Sequence, residues 1–239
     1  MLKILLLFLL AILYWSCDEN SLSVFQYEAE ATESHTINLT TQTSLNMHNT
    51  NGNVTITSSD TTSNLYYNIL KKVKSNQSES DAQSHLSDID ITVDENVSNI
   101  KIKVDHPTSD DRNYQIDFNI ILPNHIYHVI ALGNGNITLE SITRSALLNL
   151  GNGNVTTDLT LEDTCAVSIA VGNGNINFTI PDRTNANLSA SVGNGTISNN
   201  GLNFTNQQSS DNQFNGTLGN GAGNIALNIG NGNIGMNKK

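Results

Sequence analysis

Gly-Asn-Gly-Asn or a near copy of it recurs at Gly133–Asn136, Gly151–Asn154, Gly172–Asn175, Gly193–Thr196 and Gly230–Asn233. Few architectures tolerate such repetition. Glycine and asparagine are the residues that most readily take positive φ, so the motif is either a phosphate-cradling loop or a tight turn used many times. A phosphate loop opens a helix and usually carries a lysine. Here an aliphatic β-branched residue follows each copy and no lysine does, which leaves the turn. The copies also lack the aspartate of calcium-binding nonapeptide repeats.

The first four copies start 18, 21 and 21 residues apart, a related Gly219–Asn224 follows after 26, and the last after 11. Periods near 20 mark stacked structural repeats. Aligned on the turn, the preceding column reads Leu132, Leu150, Val171, Val192, Leu218, Ile229, and the following column Ile137, Val155, Ile176, Ile197, Ile225, Ile234. The flanks alternate with period 2, as strands do. Val167, Ile169 and Val171 share one face before a turn, and Ile176, Phe178 and Ile180 share one after it. One such unit cannot bury its own apolar face, but a stack can. The expected fold is therefore all-β, a β-solenoid of stacked strand–turn–strand coils behind a less regular N-terminal β cap. Its turns are expected at Gly133, Asn134 and Gly135; Gly151, Asn152 and Gly153; Gly172, Asn173 and Gly174; Gly193, Asn194 and Gly195; and Gly230, Asn231 and Gly232. Asn134, Asn152, Asn173, Asn194, Asn220 and Asn231 would then stack as an amide ladder. The closing 11-residue interval reads as a half-coil or a cap.

The stretch before the first repeat is more irregular, although Asn51-Gly52 repeats the turn grammar. Residues 78–86, "SESDAQSHL", start on serine and form the one plausible helix. No linker separates the halves. The expected organisation is a leader over 1–16, a tether over 17–34, an irregular β region over 35–132 and regular coils over 133–239. The leader is one lysine and an apolar run from Ile4 to Trp15, too short to span a bilayer comfortably and suited to an export signal. Ser16-Cys17 directly after it is similar to a bacterial lipoprotein signal. On that reading Cys17 is lipidated and holds the chain on a cell-envelope membrane. The remaining Cys165 can form no internal disulfide and reads as a small buried hydrophobe.

The order of these segments resembles the DUF4097-type bacterial putative adhesins, relatives of the head-GIN-domain adhesins. An early "NGNVTI" turn is followed by a strand ending in basic residues, a helix-like excursion and "NIKIKV". Then "YQIDFNIILPNHIYHVIALGNGNITL" leads through Leu122-Pro123 into the first repeated turn. The resemblance implies a β-solenoid, an envelope location and no established catalytic activity. It supplies no functional residues to carry over.

Function classes narrow from charge. A formal net charge of −11 excludes nucleic acid and anionic lipid as electrostatic partners. A carbohydrate-active β-helix enzyme would need clustered carboxylates; the charged residues in the repeats are Glu140, Arg144, Asp158, Glu162, Asp163, Asp182, Arg183 and Asp211, and a cleft holding two or more of Asp158, Glu162, Asp163, Asp182 and Arg183 would mark such a site. His125 and His128 point to opposite faces of an extended segment, which does not suit a metal, and Lys71, Lys72 and Lys74 read as a solvated strand end. The expected function is non-catalytic, with no cofactor or metal. A polar solenoid face is presented to a glycan or another surface protein, or the stack is purely a scaffold. The sequence sets no oligomeric state.

Overall fold

Apolar–polar alternation becomes strand almost wherever it occurs. The computed structural model describes residues 25–108 and 111–239, so the leader and Cys17 lie outside the described residues. Its strands are β1 (Tyr27–Asn38), β2 (Ser44–Asn51), β3 (Val54–Ser59), β4 (Asn64–Ser75), β5 (Asp90–Glu95), β6 (Asn99–Asp105), β7 (Arg112–Pro123) and β8 (Tyr127–Asn134). They continue with β9 (Ile137–Ile142), β10 (Ala146–Leu159), β11 (Ala166–Ile180), β12 (Ala186–Asn194), β13 (Ile197–Asn200), β14 (Thr205–Ser209), β15 (Gln213–Leu218) and β16 (Gly223–Lys238). The expected helix is α1 (Glu79–Ser84), extended by a 3-10 turn over His85–Asp88. The Ser78 hydroxyl caps it, accepting from the Asp81 N–H at 3.0 Å.

All strands join one large mixed sheet that does not close. Each Gly-Asn-Gly turn divides a coil into a first arm before it and a second arm after it. In β10 the inward residues are Ala146, Leu148 and Leu150, then Val155, Thr157 and Leu159, so the turn switches which parity faces the core. First arms pair in the order β5–β6–β2–β8–β10–β11–β16–β12–β15–β14, and second arms in the order β1–β4–β7–β3–β9–β10–β11–β16–β13. Both sets bury their inward side chains in one core, where each aliphatic residue contributes about 1.5–3 kcal/mol. Neighbouring repeats pair parallel and in register, as the aligned columns require.

The order of the coils departs from the sequence reading. β16 lies between β11 and β12, parallel to both. The closing 11-residue interval is thus neither a cap nor a half-coil. It belongs to a complete 16-residue coil placed inside the stack. Asn220 leaves the ladder for the turn between β15 and β16, and Ile225 moves to the column of Val167 and Leu188. Leu218 pairs antiparallel with Ala186. Period alone cannot reveal this, because every coil carries the same motif and fits either neighbour.

Three boundaries also move. Asn51-Gly52 is the turn of a true coil, β2–β3, stacked directly on the coil of Gly133–Asn136 across 83 residues of chain. The regular stack therefore begins at Ser44 rather than at residue 133. Residues 205–218, placed among parallel coils by the sequence, form an antiparallel hairpin that covers β12. Residues 27–34, read as tether, lie in β1, an edge strand whose Glu33, Glu30 and Glu28 pair with Lys71, Lys72 and Lys74 at 2.6, 2.6 and 3.1 Å. Charges along an exposed edge discourage unwanted strand pairing.

Candidate binding face

The repeated turns are built for stacking. A Cβ at Gly151 would stand 2.4 Å from the Gly133 carbonyl oxygen, and one at Gly153 would stand 1.6 Å from that of Gly135. The second glycine of each turn has φ of +131° to +145°, whereas the first does not take positive φ. Conformation thus demands glycine at the second position and coil-to-coil approach demands it at both.

Two amide ladders run along these turns. In the first, Asn134, Asn152, Asn173 and Asn231 donate through Nδ2 to Oδ1 of Asn51, Asn134, Asn152 and Asn173 at 2.7–2.8 Å, and Asn194 closes it on Asn231 at 2.7 Å. The second runs Asn53, Asn136, Asn154, Asn175, Asn233. Asp117 opens it, accepting from Asn53 N–H at 2.7 Å, and Thr196 closes it through its hydroxyl at 2.8 Å. Thr196 departs from the motif where no further coil stacks.

A different row lies on the outward face of the second arms. Register partners place Ser34, Asn68, Asn119, Thr55, Thr138, Thr156, Asn177, Gly235 and Ser198 side by side across nine strands. No member is charged. The first six side chains form no hydrogen bond to any described residue, in contrast to the saturated ladders. A depression of about 470 Å³ lies over this row, lined by Ser34, Asn68, Asn119 and Thr55 together with Glu33 and Asp117. Tyr66 and Ile121, each about two-fifths exposed, stand in the next row. The first arms also carry outward hollows: one of about 650 Å³ lined by small groups such as Ala131 and Ala170, and one of about 560 Å³ where Leu147 and Ala226 mix with Ser168, Ser189 and Asn215.

The carboxylates singled out from sequence stay apart. Asp158 pairs with Lys239 at 2.6 Å, Glu162 with Arg144 at 2.7 Å and Asp182 with Lys238 at 3.0 Å, while Asp163 accepts from Asn185 at 2.8 Å. No two of them share a partner, and Arg183 joins none. Asn203 and Lys238 together hold the Asp182 carboxyl below its ordinary pKa. His125 is exposed while His128 is fully buried, and burial pushes the His128 imidazole down to about 4. Cys165 is buried and unpaired, as read.

Sequence reasoning missed a polar knot under α1. The Arg112 guanidinium grips Asp81 through two bonds of 2.7 and 2.9 Å, and the buried Ser75 hydroxyl donates to Asp81 at 2.6 Å. Arg112 above all holds the Asp81 carboxyl at about 2. His85 reaches Asp88, which also accepts from the Tyr114 hydroxyl. Through these bonds the knot pins α1 to β4 and β7. Asp81, His85 and Asp88 stand at helical spacing, but Arg112 and Tyr114 reach them from β7, 31 and 26 residues away, which spacing does not show.

No family model matches this chain and no curated protein matches it, so the DUF4097 resemblance has no matching model behind it. Among solved structures it is similar to a putative cell adhesion protein from Clostridium sporogenes, 19% identical, with 88% of this chain and 100% of that one covered and a TM-score of 0.57. At that identity the likeness is one of fold. Putative adhesins from Bacteroides fragilis (11% identical, 86% and 97% covered, TM-score 0.31) and Parabacteroides distasonis (9%, 86% and 97%, 0.28) superpose too loosely to carry an argument.

Proposed function

We propose that this chain is a non-catalytic envelope protein, a putative adhesin in the wider sense, whose β-solenoid presents the second-arm row to an uncharged glycan. The parallel, in-register coils support the solenoid reading. The observation that carries the function is the run of six uncharged side chains, Ser34, Asn68, Asn119, Thr55, Thr138 and Thr156, whose donors and acceptors no described residue uses. Aligned at the strand spacing of about 4.8 Å, they offer many weak hydrogen bonds along one line. The exposed Tyr66 ring adds an apolar platform of the kind a sugar face stacks on. The separately neutralised carboxylates favour binding over hydrolysis.

An array of neutral and acidic polysaccharides, with a pull-down from envelope extract, tests the reading. Binding to a neutral polymer is expected, with at least a tenfold loss in Asn119→Arg and little change in Ser168→Arg on the opposite face. Silence in both assays leaves a scaffold. A ligand bound equally by both variants places the site elsewhere.

The envelope address rests on the leader. The native protein should lack residues 1–16 and carry acyl chains on Cys17, which intact-mass spectrometry will read. A mass that retains Met1 removes the lipid anchor.

A further inference from the structure

The out-of-order coil leaves a slot that a second copy of this chain fits. β12 and β16 both carry the Gly-Asn-Gly motif in the register that β11 accepts, yet the chain reaches β12 first and still places β16 next to β11. A place between β11 and β12 must stay open until the C-terminal strand fills it. β15 lies on one side of β12 and β16 on the other, so the connection over residues 219–222 crosses the start of β12. That crossing is short. It turns on positive φ at Gly219 (+55°) and Gly221 (+73°) and is held by bonds of Asn220 N–H to Asn185 Oδ1 (3.0 Å), Asn187 Nδ2 to Gly221 O (2.9 Å) and Gly223 N–H to Asn185 O (2.9 Å). Short, conformationally demanding hinges are those that invite strand exchange.

We propose that β16 is an exchangeable strand: Gly223–Lys238 of one copy seats between β11 and β12 of another, and the exchange is reciprocal. Every contact of β16 with β11, β12 and β13 is preserved in the exchanged dimer, since all are noncovalent and set by register. Only the hinge changes conformation. The closed monomer and exchanged dimer therefore differ by hinge strain and by the cost of association, and concentration during folding decides between them. The inference is independent of what the second-arm row binds.

The test uses the full chain on a Cys17→Ser, Cys165→Ser background, so that the only thiols are the two introduced ones. Two differently tagged populations carry Ser168→Cys or Ala226→Cys, which are register partners on the outward side of β11 and β16. They are unfolded, mixed, refolded over a hundredfold concentration range, oxidised and sized by light scattering. The dimer share should rise at least tenfold with concentration, and the dimer should contain a disulfide joining the two tags. Deleting Gly221 and Ala222 should make the dimer dominant, because β16 then fails to cross its own β12, while four extra Gly/Ser residues after Ala222 should restore the monomer. A wild-type chain that stays monomeric at every concentration, or dimers without the mixed-tag disulfide, overturns the proposal even if the shortened hinge fails to fold.

Discussion

Gly153→Ala is expected to destabilise the stack by on the order of 4 kcal/mol or more, enough to abolish cooperative unfolding in a marginal protein. The new Cβ has nowhere to go: it would stand 1.6 Å from the Gly135 carbonyl oxygen, on a backbone with φ of +136°. Strain at such a φ costs about 1–3 kcal/mol by itself, and relieving the overlap parts the two coils and their ladder bonds. Gly235→Ala is the matched control. Its Cβ would meet nothing nearer than 3.8 Å and its φ is not positive, so stability should hold or rise by less than about 1 kcal/mol. Urea unfolding followed by far-UV circular dichroism separates the two. Equal midpoints would refute the close-approach account of the repeated motif.

Acidification from pH 6.5 to 4 should cost the wild-type protein about 3 kcal/mol through His128 alone. Its imidazole sits between Leu45 and Ala146, fully buried, with neither ring nitrogen hydrogen-bonded to a described residue. Burial holds its pKa at about 4, against 6.5 for the free side chain. Between those values the unfolded chain binds a proton that the folded chain refuses, so stability is complete above pH 6.5 and falls as pH drops to 4. At about 1.36 kcal/mol per pKa unit the loss is the figure above. The lowered carboxyls of Asp81, Asp88 and Asp182 act in the same direction but in a more acidic window. His128→Leu should flatten the curve between pH 6.5 and 4. It should also raise stability at pH 7, since it removes two unpaired buried nitrogens from an aliphatic column. An unchanged pH profile in His128→Leu would place the acid sensitivity elsewhere.

The turns, their glycines and both aliphatic columns, apart from Leu218 and Ile225, were legible because they are local: a period of about 20, an alternation of 2 and a strained φ are written within each repeat. The order of the coils was not. β11 accepts β12 or β16 with equal grammar, and the choice falls to the crossover held by Asn185 and Asn187, which no period records. The coil at Asn51-Gly52 was hidden differently, by the excursion through β4, α1 and β5 to β7 between it and its neighbour. The second-arm row was partly visible, as Thr and Asn outside each strand. That Ser34, Asn68 and Asn119 extend it is a fact of register with antiparallel strands, which sequence alone does not fix. Burial of His128 was written in the alternation Ile126, His128, Ile130, Leu132, whose inward parity Leu132 sets, but a polar side chain at an inward position is not read as core from its type.

The interior position of β16 also bears on how a chain of this kind changes length. A further repeat appended after Lys239 would follow a strand already flanked on both sides, with no edge to extend. One inserted ahead of β12 would have to share the slot that β16 fills. From β8–β9 through β10 to β11, consecutive coils stack in chain order. Duplication of an 18- or 21-residue unit there adds one rung to each ladder, one position to the outward row and about 4.8 Å to the stack. Longer and shorter homologues should therefore differ by whole units in that segment, while both ends keep their caps.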